Sequence, residues 1–288
     1  MDKEAILKRI RTIELQTRGL TQHVFSGQYQ SAFKGRGMSF SEVRAYQIGD
    51  DVRKIDWNVT ARFKDPYVKV FEEERELSVL LIIDVSGSMY YGQGAESKIT
   101  LAAELAATIA FSAAQSNDKV AAIFLSDKIE AYIPPTKGFA HAHVILRKLL
   151  HLKPKSKQTS LSNGLQIARS LLKQRSICFI ISDFNDELPE KEFSKTAQKH
   201  DLIALGVEDP AEKVLPNLGL VQLFNAETNT QNWIDSSSPK VQKEYAQQFE
   251  TNKQNAQEMF AKNNINAAFF EVGKPAFNQL YHFFKARR

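Results

Sequence analysis

The run Val79-Leu80-Leu81-Ile82-Ile83 carries no polar side chain and ends abruptly at Asp84. A strand that is apolar on both faces has to be covered on both, which places it in the middle of a mostly parallel sheet with helices above and below. A second run of this kind, Ile177-Cys178-Phe179-Ile180-Ile181-Ser182, ends at Asp183. Between and after these runs, strand and helix patterns alternate as in a parallel sheet with crossover helices. Ile99, Ala102, Ala106, Ile109, Ala110 and Ala113 mark the buried face of the first crossover helix. Lys119 to Leu125 and Lys128 to Ile133 read as an antiparallel pair joined tightly through Ser126-Asp127. Helices are predicted at about Phe139 to His151, Ser160 to Lys173 and Pro189 to Lys199, with a strand at Leu202 to Val207. Val241, Tyr245, Phe249, Ala256 and Phe260 trace a long amphipathic helix, Ile265 to Val272 a last strand, and Phe277, Leu280, Tyr281 and Phe284 a closing helix. Residues 219–235 read as a hairpin excursion turning near Thr228-Asn229.

Asp84-Val85-Ser86-Gly87-Ser88 presents one carboxylate and two hydroxyls where the first apolar strand breaks into a loop. Asp84, Ser86 and Ser88 alternate, so their oxygens can converge, while Gly87 allows a tight turn. Oxygen donors without a nearby Cys or His cluster suit Mg²⁺, and Mn²⁺ or Ca²⁺ as alternatives, rather than zinc. Asp183 repeats the position of Asp84 at a strand's C-terminal end, where open α/β sheets bind ligands. Thr159, in a loop before a helix N-terminus, is a further candidate, with Ser160 and Ser162 as alternatives to it. The plainer readings are an Asx/Ser turn capping the next helix for residues 84–88, and a strand-end turn for Asp183. His141-Ala142-His143 lies on a predicted helix, where i and i+2 side chains diverge, so packing or solvated histidines are expected.

The D-x-S-x-S pattern with a later loop Thr and a strand-end Asp resembles the metal-ion-dependent adhesion site of von Willebrand factor A-type domains. Upstream, Gly27-Gln28-Tyr29-Gln30-Ser31-Ala32-Phe33-Lys34-Gly35-Arg36-Gly37, Val43-Arg44-Ala45-Tyr46, Gly49-Asp50-Asp51-Val52-Arg53 and Ile55-Asp56-Trp57-Asn58-Val59-Thr60-Ala61-Arg62 resemble the bacterial family called domain of unknown function 58. Pro66-Tyr67-Val68-Lys69 and Glu73-Glu74-Arg75-Glu76-Leu77 extend that resemblance toward the motif strand. It implies an α/β fold of von Willebrand A-like, Rossmann type, with helices on both faces of the sheet and an additional N-terminal region. It also implies a metal held by Asp84, Ser86, Ser88, Thr159 and Asp183. The expected role is a non-enzymatic adaptor working with a MoxR-type AAA+ ATPase and a client protein, contacted through an Asp or Glu that completes the metal shell.

Residues 1–75 form the expected N-terminal region, with a helix from Lys3 to Leu15 and then a loop-rich platform too polar for a large core of its own. Trp57 and Tyr67 are its predicted packing anchors. Residues 76–288 form the expected main domain. Asp50, Asp51, Arg53 and Asp56 read as a salt-bridged turn rather than a second functional cluster. The net charge of +5 splits into +3 over residues 1–75 and +2 over the remainder, so neither part is a basic arm. A nucleic-acid-binding reading, resting on Phe33 to Phe40, is correspondingly weak. A magnesium-dependent phosphoesterase is the other alternative. An aspartyl nucleophile would want an acid/base two residues on, where Ser86 stands, and neither a G-x-S-x-G elbow nor a P-loop is present. Cys178, the one cysteine, sits within an apolar strand and reads as buried and inert. The N-terminal residues lack the apolar stretch of a signal peptide, and a cytoplasmic location is expected.

Overall fold

The computed structural model describes residues 8, 10–15, 39–63, 65–72, 78–90, 92–93, 96–156, 158–225 and 230–286. The motif at Gly27 to Gly37, the stretch at Glu73 to Leu77 and the turn at Thr228-Asn229 lie outside them. The chain forms two compact units, one of residues 27–76 and one of residues 1–26 with 77–288. The first helix was grouped by position with residues 1–75 but expected to lay an apolar stripe on the main body, and its described residues 10–15 do bury Ile10 and Ile13, with Glu14 3.1 Å from His143 of the larger unit.

The larger unit is built on a six-stranded sheet. Its strands are β1 (Ser78–Asp84), β2 (Lys119–Leu125), β3 (Ile129–Thr136), β4 (Ile177–Ser182), β5 (Asp201–Glu208) and β6 (Asn266–Glu271). They lie in the order β3-β2-β1-β4-β5-β6, all parallel to their neighbours except β3, which runs antiparallel to β2. The antiparallel pair was expected, but β3 runs on through Pro134 and Pro135 to Thr136. An edge strand can hold prolines, because one side of it owes no ladder hydrogen bonds.

The helices are α1 (Lys98–Gln115), α2 (Phe139–His151), α3 (Leu161–Leu171), α4 (Glu190–Lys199), α5 (Pro239–Lys262) and α6 (Ala276–Ala286). On one face of the sheet Leu80, Ile82, Ile123, Leu125, Ile180 and Ala204 pack against Leu165 of α3, Phe193 of α4 and Phe260 of α5. Phe179 points to the opposite face and meets Phe284 of α6. Helix α1 is buried from Lys98 to Ala114, so it is covered all round rather than along one stripe. The strands Leu220–Asn225 and Thr230–Asp235 form a separate antiparallel hairpin between β5 and α5, as expected. No helix among the described residues is long and apolar enough to cross a membrane.

The smaller unit pairs the strand Ser39–Ala45 with Tyr67–Glu72 in antiparallel register. Between them Arg44 donates two hydrogen bonds to Asp50, both 2.8 Å, and Asp51 and Asp56 cap a 3-10 turn and the one-turn helix Trp57–Thr60. The acidic cluster is thus a structural turn. Trp57 is not the anchor its size suggested: it is the first residue of the short helix capped by Asp56 and is 70% exposed. Tyr67 does pack, with its ring centroid 5.2 Å from that of Phe63.

Candidate functional site

The strand order reverses between β1 and β4. From β1 the chain proceeds through α1 to β2 on one side, and from β4 through α4 to β5 on the other. Loops leaving the C-terminal ends of those two strands must therefore diverge, opening a crevice at the point where such sheets bind ligands. Asp84 ends β1 and Asp183 follows β4, so both carboxylates stand at this crevice.

Asp84 is fully buried and clasped from two directions. The Ser86 amide donates to its Oδ1 at 2.8 Å, and the Ser182 hydroxyl donates to its Oδ2 at 2.7 Å. Ser86 and Ser88, brought together by the 3-10 turn Gly87–Tyr90, have their Oγ atoms 3.1 Å apart. Burial, and then the charge of neighbouring Asp183, push the Asp84 carboxyl up to about 6, against the hydrogen bonds that favour its ionised form. Tyr90 feels the same surroundings: burial, then Asp84 and Glu130, push its phenol up to about 12.

The Thr159 loop is fastened beside these groups by backbone and side-chain bonds. The Val85 amide donates to the Leu125 carbonyl at 2.7 Å, and the Ser160 amide donates to the next carbonyl, Ser126, at 3.0 Å. Glu130 accepts from the amides of Lys155 and Ser156 and from the Ser126 hydroxyl. Asn163 donates to the Asp127 carbonyl at 2.7 Å. Thr159 is half-buried within this strapped segment, and Ser160 stands at the N-cap position of α3 without a side-chain capping bond. Ser162 lies one turn further on and accepts from Gln166. The histidines stay out of the crevice: His141 donates from Nε2 to the Val120 carbonyl at 2.8 Å, and His143 pairs with Glu14.

Sequence reasoning missed Lys98 and Glu212. The Lys98 side chain is fully buried, and its Nζ lies 2.7 Å from Asp183 Oδ2 and 2.7 Å from Glu212 Oε1. Burial works against the ammonium, but the two carboxylates outweigh it and hold Lys98 above the ordinary lysine value. Burial also holds Glu212 above the ordinary glutamate value, despite Lys98. Glu212 arrives on the 3-10 turn Pro210–Lys213 just after β5, a part of the chain with no motif to mark it. A signal for Lys98 did exist: it stands four residues before Ala102, in line with the helix stripe read as buried. Asp183 is followed by Phe184 at φ 51°, a conformation unusual for a bulky residue. Its amide donates to Ser182 Oγ, and its ring is locked edge-on against Phe260 and Phe193, so packing supports the turn.

These features define an α/β protein with a cluster of carboxylate and hydroxyl oxygens at the reversal point of its sheet. Residues 42–255 match the family described as "Protein of unknown function DUF58", and the chain belongs to that family. Uncharacterized proteins of Mycobacterium tuberculosis (Rv1480) and Mycobacterium bovis (Mb1516) are each 30% identical over 231 residues, covering 79% of this chain and 73% of theirs. Among solved structures, the conserved hypothetical protein BatB from Bacteroides thetaiotaomicron superposes with a TM-score of 0.45 at 14% identity, over 73% of this chain and 98% of that one. The pilus adhesin SpaC from Lactobacillus rhamnosus GG superposes at 0.43 and 11% identity, over 75% of this chain and 30% of its own.

Proposed function

We propose that the chain is a non-enzymatic, metal-dependent protein-interaction module of von Willebrand factor A type, acting with a MoxR-type AAA+ ATPase in the assembly or maturation of other proteins. The observation that carries this reading is the buried Asp84 carboxylate at the sheet's reversal point, with the Ser86 and Ser88 hydroxyls 3.1 Å apart beside it and Asp183 across the crevice. The donor chemistry fits a hard divalent cation. Two carboxylates and several hydroxyls offer oxygen alone, and the repulsion between Asp84 and Asp183 is the kind a cation relieves. Among the described residues no three His, Cys, Asp or Glu side chains gather as a metal centre, so neutral hydroxyls would supply much of the shell.

On this reading Asp84, Ser86, Ser88 and Thr159 hold Mg²⁺, with Asp183 either direct or through water. Bound there, the ion supplies a Lewis-acidic position that an incoming Asp or Glu can occupy. Ser182 and the Ser86 amide fix the Asp84 carboxylate, so its geometry is set before any partner arrives. Glu130 ties the amides of Lys155 and Ser156, in the segment leading to Thr159, to the Ser126 hydroxyl after β2, which supports a Thr159 loop held in place without the ligand.

The test is a pull-down from native lysate with wild type and Asp84→Ala, each in Mg²⁺ and in EDTA. Partners, an AAA+ ATPase among them, are expected on the wild type in Mg²⁺ and to be lost in the other three conditions. Retention of the same partners in all four would overturn metal-gated binding.

A further inference from the structure

Lys98 is out of place by the ordinary rules for lysine. A flexible amine seldom gives up all its water, and a buried ammonium is tolerated only when paired. Here it is paired twice, with Asp183 from the β4 end and Glu212 from the turn after β5. Asp183 thereby has one oxygen committed to an internal cation, while the other Glu212 oxygen, Oε2, is buried with no hydrogen-bond partner among the described residues. Lysine rather than arginine suits this point, because a compact charge fits between two carboxylates without imposing a planar fork.

We propose, resting on the metal-site reading above, that Lys98 is the residue that sets how tightly this site holds a divalent cation and keeps the loaded site receptive to an acidic ligand. Two effects follow from its position. Its ammonium competes with the metal for Asp183, and it repels a second cation a short distance away inside a poorly screened crevice. It also changes the charge that an incoming carboxylate meets. Asp84, Asp183 and Glu212 contribute three negative charges, and Lys98 with a divalent cation contributes three positive ones. With Lys98 in place the loaded site is neutral, and a partner's Asp or Glu adds the only surplus charge. Without Lys98 the loaded site is already negative, so the cation is gripped harder and an acidic ligand is repelled. Lys98 thus gives up cation affinity in return for anion acceptance, as an adhesion site requires and a cation-storage site does not.

The experiment is titration calorimetry with Mg²⁺, repeated with Mn²⁺, on the full chain as wild type, Asp84→Asn, Lys98→Met and the double variant Lys98→Met/Glu212→Gln. Lys98→Met is expected to bind the cation at least tenfold tighter than wild type. The double variant carries the same net charge at the site as wild type but leaves Asp183 uncontested, and it too is expected to bind tighter. A merely structural role for Lys98 would lower thermal stability in both variants and leave cation affinity where it was. If Lys98→Met does not fold, Asp183 and Glu212 having lost their shared cation, the double variant decides. Cation binding that depends on Asp84 but is equal or weaker in the Lys98 variants would overturn this inference and leave the metal site standing. Absence of binding in the wild type and in every Lys98 variant would remove both.

Discussion

At Asp84 the fold holds a carboxylate where surrounding strands exclude water and a second carboxylate, Asp183, stands nearby. Neither the Ser86 amide nor the Ser182 hydroxyl carries the positive charge that would offset this, and Lys98 is spent on Asp183 and Glu212. A residue kept at such a cost to stability is the pattern seen where function opposes folding. Asp84→Asn keeps the shape and can still accept from Ser86 while removing the charge. In EDTA the variant is expected to unfold at a temperature a few degrees above wild type, a gain of about 1 kcal/mol, and to show no further rise when Mg²⁺ is added. Differential scanning calorimetry in EDTA and in Mg²⁺ measures both. A lower melting temperature in EDTA would mean that the charge serves the fold instead.

Among the elements, β1, β4 and α1 were legible because their composition leaves little choice: Leu80 to Ile83 and Ile177 to Ile181 can only be buried, and the alanines of α1 let it lie close on the sheet. The same apolar runs marked Asp84 and Asp183, since a carboxylate where such a strand ends must sit at the C-terminal end of the sheet. The burial of Lys98 had a signal in the helix stripe, but its pairing with Glu212 was not legible, because that depends on which parts of the chain the strand order brings together, 114 positions apart. The exposure of Trp57 was hidden too, because hydrophobicity alone does not say which side chains of a one-turn helix find a packing partner. Helix α3 shows how closely an element can be fitted. It carries the Ser160 and Asn163 bonds that strap the Thr159 loop, and it approaches the sheet at Gly164, where an added Cβ would stand 2.6 Å from Leu125 Cδ2. Gly164→Leu should therefore cost about 1–3 kcal/mol in chemical denaturation, through overpacking against the fully buried Leu125. It should also weaken cation binding by displacing the Thr159 loop. An unchanged denaturation midpoint would show that α3 is free to move off the sheet.

Across the larger unit, the order β3-β2-β1-β4-β5-β6 turns scattered short motifs into one crevice and leaves the opposite end of the sheet to hold the fold together. At that far end His200, between α4 and β5, is 1% exposed; its Nδ1 accepts from the Ser176 amide at 3.3 Å, and its Nε2 has no hydrogen-bond partner among the described residues. Burial, then the charges of Lys199, Arg169 and Arg175, push the imidazole down to about 4 from 6.5. The folded chain thus keeps His200 neutral where the unfolded chain protonates it. The stability this contributes is present above pH 6.5 and is lost as pH falls from there toward 4. Asp84 works in the opposite direction over part of this range, since its raised carboxyl takes up a proton more readily folded than unfolded. Absolute stability therefore mixes the two, whereas the difference between wild type and a His200 variant removes Asp84 from the comparison. Urea denaturation in EDTA at pH 7.5 and at pH 5 is expected to show wild type losing about 1–2 kcal/mol more than His200→Gln over that interval. Equal losses in the two proteins would mean that His200 takes up its proton without unfolding the packing between α4 and β5.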